Sequence, residues 1–143
     1  MNATLEQHTL SIRTDGRGLI PLNSELRRIL EASPQRQGLC TVFCRHTSAS
    51  LLINEGADPE VTRDLERFFA RIVPDGDPLF LHRAEGPDDM PAHVRTALTQ
   101  TSLAIPFADG VLSLGTWQEV FLWEHRAAPH TRTLSVTLVG TPT

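Results

Sequence analysis

No run of about 18 apolar residues occurs in this 143-residue chain, so no transmembrane helix is written into it. No block of like charge occurs either. The 13 basic and 17 acidic residues are interspersed and give a net charge of −4 with histidine neutral. That balance removes the broad basic face of a nucleic-acid or anionic-membrane binder. It leaves room for a local basic pocket around a small phosphorylated ligand. The first seven residues lack a charged segment followed by an apolar one, which argues against secretion. Cysteine is scarce: Cys40 and Cys44 are the only two. On a strand they share a face about 13 Å apart, too far for a disulfide, and read as small buried hydrophobes in a reducing compartment. A cytoplasmic location is expected. No repeat, linker or low-complexity segment divides the chain, so residues 1–143 are read as one domain. There is no Gly-x-Ser-x-Gly, no cysteine with a nearby histidine in a polar setting and no phosphate-cradling glycine loop. The polar equipment suits metal-assisted or electrostatic chemistry better than covalent catalysis.

What is present is ordinary for a globular protein, 40% apolar and 21% charged. Strand signals dominate. Leu5 to Arg13 alternates loosely and ends at the turn-rich Asp15-Gly16-Arg17-Gly18. Residues 22–32 have a helical spacing at Leu22, Leu26, Ile29 and Leu30, with Asn23 or Ser24 near the cap. Gly38 to Cys44 is nearly continuous in apolar character, which predicts a central strand buried on both faces. Asp58-Pro59 opens a second helix with one apolar stripe, Val61, Leu65, Phe68, Phe69 and Ile72. Pro91 opens a short third helix with Asp89 as cap, turning Val94, Ala97 and Leu98 inward. Asp109-Gly110 between two short apolar runs is a hairpin signal. Residues 116–125 alternate, with Trp117, Glu119, Phe121, Trp123 and His125 on one face and Gln118, Val120, Leu122 and Glu124 on the other. Leu134, Val136 and Leu138 mark a last strand. The expected architecture is α+β, a mainly antiparallel β-sandwich with two or three short helices packed on it.

Between His82 and His93, twelve positions hold two imidazoles, three carboxylates and two prolines. Ionised carboxylates are not buried cheaply without partners. The prolines restrict the loop, as a preorganised site for a metal or charged ligand requires. A solvated acidic loop with incidental histidines is the competing reading. His46, His82 and His93 each fall at or just beyond the end of a predicted element. Three imidazoles with an open position make a catalytic-type divalent site, zinc or magnesium, with Asp88 or Asp89 as supporting partner or fourth ligand. Their spacing matches no short zinc signature. His93, in the first turn of its helix, is held toward the neutral form that binds metal or accepts a proton. Thr47, Ser48 and Ser50 can hydrogen-bond an anion or simply form a turn. Thr116 and Gln118 follow Gly115, where a ligand can approach closely. Arg126 and Arg83 can neutralise phosphate, and Glu124 can pair with Arg126.

These residues make up motifs that resemble one family. They are His46-Thr47-Ser48-Ala49-Ser50-Leu51 running into Ile53-Asn54-Glu55, then Asp58-Pro59, Asp64-Leu65, His82, Glu85-Gly86 and Asp88-Asp89-Met90-Pro91-Ala92-His93. Ser102-Leu103, Ile105-Pro106, Gly110, Leu112, Leu114-Gly115-Thr116-Trp117-Gln118 and Glu124-His125-Arg126 complete them. Over nearly its whole length the chain resembles the YjbQ-like family of secondary thiamine-phosphate synthases. The resemblance implies a homotrimer with polar sites near subunit boundaries and histidines that bind a divalent metal. It implies a low-efficiency transferase that joins a pyrimidine-methyl pyrophosphate to a thiazole phosphate with loss of pyrophosphate. His46, Asp88, Asp89, His93 and Glu124 would then be catalytic, and Thr47, Ser48, Ser50, Thr116, Gln118 and Arg126 would bind the phosphorylated substrate. Non-catalytic binding of a metal or phosphometabolite, and metal-assisted hydrolysis, use the same residues. The chain departs from the family pattern at Phe80, at Glu119 beside Gln118, and at Thr99-Gln100-Thr101.

Overall fold

In the computed structural model, which describes residues 2–143, eight strands and three helices follow one another along the chain. They are β1 (Thr4–Arg13), β2 (Gly18–Pro21), α1 (Asn23–Ala32), β3 (Gln37–Cys44), β4 (Ala49–Glu55) and α2 (Pro59–Ile72). Then come α3 (Asp89–Leu98), β5 (Ser102–Ala108), β6 (Val111–Leu112), β7 (Gln118–Glu124) and β8 (Thr131–Thr141). The strands form two antiparallel sheets, one in the order β1-β8-β3-β5-β6 and one in the order β2-β7-β4. The fold is α+β, as the alternating strands and interspersed helical periods led one to expect.

The core lies between the sheets. Cys40, Val42 and Cys44 of β3, Leu103, Ile105 and Phe107 of β5 and Leu134, Val136 and Leu138 of β8 face Leu51 of β4 and Val120 and Leu122 of β7. Leu22, Leu26 and Leu30 bring α1 into the same cluster. Each such fully buried Val, Leu or Ile contributes about 1.5–3 kcal/mol. Both cysteines are buried and unbridged, and burial pushes the Cys40 thiol up to about 11. The expectation that β3 is buried on both faces does not hold. Leu39 and Phe43 stay about half exposed, with Leu5 and Val139, because no layer covers the outer face of the larger sheet. It is the smaller sheet that is covered twice. Val120 and Leu122 enter the core, while Phe121 and Trp123 are buried on the opposite side. There the Trp123 ring meets Phe69 of α2 at 4.8 Å. Trp117, expected on that face, precedes the strand and is exposed.

The helix ends show which local signals prevailed. Asp58 caps α2 by accepting the Glu60 N–H at 2.9 Å, and Pro59 takes the first helical position. Only part of the α2 stripe turns inward, since Phe68 and Ile72 are exposed. Neither Asn23 nor Ser24 caps α1. The Asn23 N–H donates instead to Glu119 Oε2 at 2.9 Å, and Asn23 Oδ1 accepts the Val120 N–H at 2.9 Å. Glu119 therefore satisfies an orphan helix donor from across a strand. The Asp109-Gly110 hairpin forms as its sequence requires, with φ of 54° and 74°, both left-handed. The face of α3 is shifted from expectation. Val94 is half-buried, Ala97 and Leu98 are exposed, and Pro91, Ala92 and Arg95 are buried. Arg95 can go inside because Nη1 meets Glu66 Oε1 at 2.6 Å, while Glu66 Oε2 accepts the Trp123 indole N–H at 2.7 Å. A buried charge needs such a partner.

Candidate functional site

Asp89 and His93 are four residues apart in the first turns of α3, so their side chains rise from one face. His82 arrives from the segment between α2 and α3. Asp89 Oδ2 lies 2.7 Å from His82 Nε2 and 3.2 Å from His93 Nε2. The two imidazole rings stand 5.6 Å apart and nearly perpendicular. The potential ligand atoms of all three residues fall within 4.8 Å of one another. Asp89 is buried, whereas His82 and His93 reach solvent, so the cluster opens outward from its carboxylate.

Asp89 Oδ1, the oxygen turned away from the imidazoles, meets Arg126 Nη1 at 2.9 Å. Arg126 Nε donates to Asp88 Oδ2 at 3.0 Å and Nη2 donates to the Glu85 carbonyl at 3.0 Å. Asp88 Oδ2 also accepts the Ala127 N–H at 2.8 Å, so it serves the Arg126 segment and not the start of α3. Burial works to raise the Asp89 carboxyl, but the His82 hydrogen bond and the charges of Arg126 and His93 overcome it, and the net shift is downward. Asp88 behaves alike: burial opposes, and the Ala127 and Arg126 hydrogen bonds lower it. The hydrogen bond to Asp88 raises Arg126 further above its ordinary value. Internal bonds shape the loop that carries His82. Arg83 Nε donates to the Phe80 carbonyl at 2.8 Å and the Gly76 N–H to the Pro87 carbonyl at 3.0 Å. Arg17 holds both oxygens of Asp75 at the loop's start, at 2.9 and 3.0 Å. A cavity of about 350 Å³ adjoins His82, between Phe80, Pro87 and Met90.

His46 stands outside this cluster. Its Nε2 accepts the Thr133 N–H at 2.7 Å, so in the neutral ring the proton occupies Nδ1 and neither nitrogen is free to ligate. Burial and then the charge of Arg132 hold His46 below its ordinary value. Within the chain it is the potential ligand atoms of His82, Asp89 and His93, and not those of the three histidines read from the sequence, that come together. Glu124, expected to be catalytic, is fully buried. It accepts Thr14 Oγ1 at 2.7 Å, Arg132 Nε at 2.8 Å, Arg132 Nη2 and the Arg126 N–H at 3.2 Å. Its lone pairs are spent on holding β7 to β8 and the turn after β1.

The hydroxyls divide in the same way. Ser48 Oγ accepts Arg132 Nη2 at 3.0 Å, and Ser50 Oγ lies 2.8 Å from His125 Nε2 with both residues fully buried. Both serines are buried, and only Thr47 of the three is exposed. The buried Ser50–His125 pair left no mark in the sequence, because two residues 75 positions apart meet only through the β4–β7 register. Burial, then the charges of Arg95, Arg17 and Arg132, push the His125 imidazole down to about 3, so it is neutral. Thr116 and Gln118 precede or begin β7, whereas Arg126 follows its end. Six residues of extended strand separate Gln118 from Glu124 by about 20 Å, so one chain does not bring these two residues to the His82–Asp89–His93 cluster. The i, i+4 spacing of Asp89 and His93 was visible in the sequence, but the helix was expected to open at Pro91 with Asp89 as its cap, whereas α3 begins at Asp89 and so carries both on one face.

A two-sheet α+β sandwich with a His–Asp–His cluster at the start of a short helix is the class that these elements define. The family described as UPF0047 protein YjbQ-like matches residues 8–141, and the chain belongs to that family. It is 53% identical over 140 residues to UPF0047 protein sll1880 of Synechocystis, covering 96% of this chain and 95% of that one. It is 41% identical over 135 residues to UPF0047 protein YjbQ of Escherichia coli O157:H7, covering 94% and 97%. Among solved structures, the conserved hypothetical protein TT1486 of Thermus thermophilus superposes with a TM-score of 0.83 at 33% identity, covering 92% and 98%. The hypothetical protein APE1520 of Aeropyrum pernix gives 0.84 at 26% identity, covering 95% and 98%.

Proposed function

We propose that His82, Asp89 and His93 hold a divalent cation and that the chain is a transferase of thiamine-phosphate synthase type, acting on a pyrimidine-methyl pyrophosphate and a thiazole phosphate. One observation carries the metal reading: two imidazole nitrogens gather around one oxygen of a buried carboxylate whose second oxygen is already held by Arg126. Three protein ligands are the number that leaves a coordination position open. Two imidazoles with one carboxylate favour zinc over magnesium. When bound, the cation would supply positive charge to the departing pyrophosphate. The chain's own residues do the positioning. Three of the five guanidinium N–H groups of Arg126 are committed to Asp88, Asp89 and Glu85, which leaves two for a phosphate oxygen beside the cluster. Asp88 holds that guanidinium in place, and Asp89, ionised, lies between the guanidinium and the cation site and so fixes the two positive groups relative to one another.

A non-catalytic role in binding a metal or phosphometabolite is the second reading. What favours it is that Glu124, Ser50 and His125 are sealed from solvent, so these three offer the cluster no free acid–base pair. Incubating the protein with zinc and the two phosphorylated substrates, and separating products by chromatography, tests the first reading. Thiamine phosphate is expected from wild type and not from His93→Ala or Asp89→Asn. Stoichiometric zinc without product would leave the binding role.

The homotrimer implied by the resemblance is supported by the uncovered outer face of the larger sheet. Leu5, Val139 and Leu39 lie in one cross-strand row there, with Phe43 on the same face. An apolar face of this kind marks an association surface. Light scattering after size exclusion should give three times the chain mass for wild type, and less for Leu39→Asp.

A further inference from the structure

We propose a second ligand site, independent of the metal reading, in the cleft between α1, the β5–β6 hairpin and residues 113–118, for a small organic molecule that carries a phosphate or carboxylate on an apolar ring. The cleft has a volume of about 530 Å³, larger than the cavity beside His82 and of the size that small-molecule sites use. Gly115, Thr116 and Gln118 line it, residues that the His82–Asp89–His93 cluster leaves unused at the far end of β7. Leu30, Leu112 and Leu114 supply the apolar surface, and Arg27 and Arg36 supply two guanidinium groups.

The polar groups are arranged to donate. Arg27 is in no ion pair among the described residues. Arg36 spends one N–H on the Asp109 carbonyl at 2.9 Å. Its guanidinium lies against the hairpin, where a Cβ at Gly110 would stand 2.6 Å from Nη1. Gln118 Oε1 accepts the Gly115 N–H at 2.8 Å, which leaves the side-chain amide as a donor. Asn23, by contrast, has both side-chain ends engaged with β7. Glu31 and Asp109 line the same cleft and offset the two arginines in charge. A bare anion therefore gains little there, and a ligand must also bury a ring against the leucines.

The test is a ¹⁵N–¹H titration of the metal-free protein in its native assembly, with phenyl phosphate and with inorganic phosphate. Phenyl phosphate should shift the Gly110, Gly115 and Thr116 amides saturably. Inorganic phosphate should bind at least tenfold more weakly. The Arg27→Ala/Arg36→Ala double variant and the single Arg27→Gln, at an exposed position, should each weaken phenyl phosphate, the double variant by tenfold or more. His82→Ala/His93→Ala should bind it as wild type does, which separates this site from the metal reading. Absence of saturable shifts at those amides, shifts confined to residues 76–93, equal binding of the two probes, or indifference to the arginine changes would each overturn the proposal.

Discussion

Arg126 Nη1 meets Asp89 Oδ1 at 2.9 Å and so leaves Oδ2 alone to face both His82 and His93. Supporting residues of this kind fix ligand orientation, and their removal costs about 10–100-fold in metal affinity. Arg126→Ala should weaken zinc binding by about that factor in a chelator-competition titration. Asp88→Asn should weaken it less, because it only loosens Arg126. Equal zinc affinity in Arg126→Ala and wild type would show that Asp89 needs no second support.

His46 accepts a backbone N–H, and this sets the expectation for its removal. His46→Ala should leave metal content, measured by elemental analysis, at the wild-type value. It should cost about 1–2 kcal/mol of stability by leaving the Thr133 donor unmatched. Loss of metal in this variant would restore the three-histidine set.

The Glu66–Arg95 pair ties α2 to α3 beneath the cluster. Glu66→Leu leaves Arg95 buried without a counter-charge, and urea unfolding should show a loss of about 3–5 kcal/mol. The double change Glu66→Leu/Arg95→Met removes both charges and should recover much of that loss. A double variant as unstable as the single one would place the loss on the Trp123 indole N–H, which both changes deprive of Glu66 Oε2.

Acid should destabilise the protein through His125. Its folded value lies near 3 and its ordinary value is 6.5. Between these, the unfolded chain takes up a proton that the native chain refuses. The stabilisation is therefore complete above pH 6.5 and is lost as pH falls toward 3, at about 1.4 kcal/mol per pH unit. Asp88, Asp89 and Glu124, all held below their ordinary values, add a second loss with the same sign at lower pH. Thermal unfolding from pH 7 to 4 should show the midpoint falling, and His125→Gln should flatten the upper part of that fall. A parallel curve for the variant would exclude His125 as the source.

Sandwich architecture was legible in the chain because strand alternation, the Asp109-Gly110 turn and the Asp58-Pro59 cap act over a few residues. The segment 82–93 was legible as a candidate because three carboxylates and two histidines in a proline-restricted loop have no use in a core. Composition marked the place but not the partners. His46 has the residue type of a ligand, yet the β3–β8 register brings it to the Thr133 N–H. Glu124 reads as an available carboxylate, yet Arg132 and Thr14 surround it. Arg95 is buried, and Glu66, 29 positions away, is the counter-charge that makes its burial possible.

By itself, then, the sequence determined the elements, the family and the segment that carries the candidate chemistry, since periodicity, capping and local composition are properties of neighbours in the chain. Tertiary structure decided which side chains meet. It set Asp89 between His82 and His93, closed Ser50 and Glu124 to solvent, and parted Gln118 from Arg126 by the length of β7. Those outcomes follow from strand register and helix placement, which bring together residues whose separation in sequence says nothing of their separation in space.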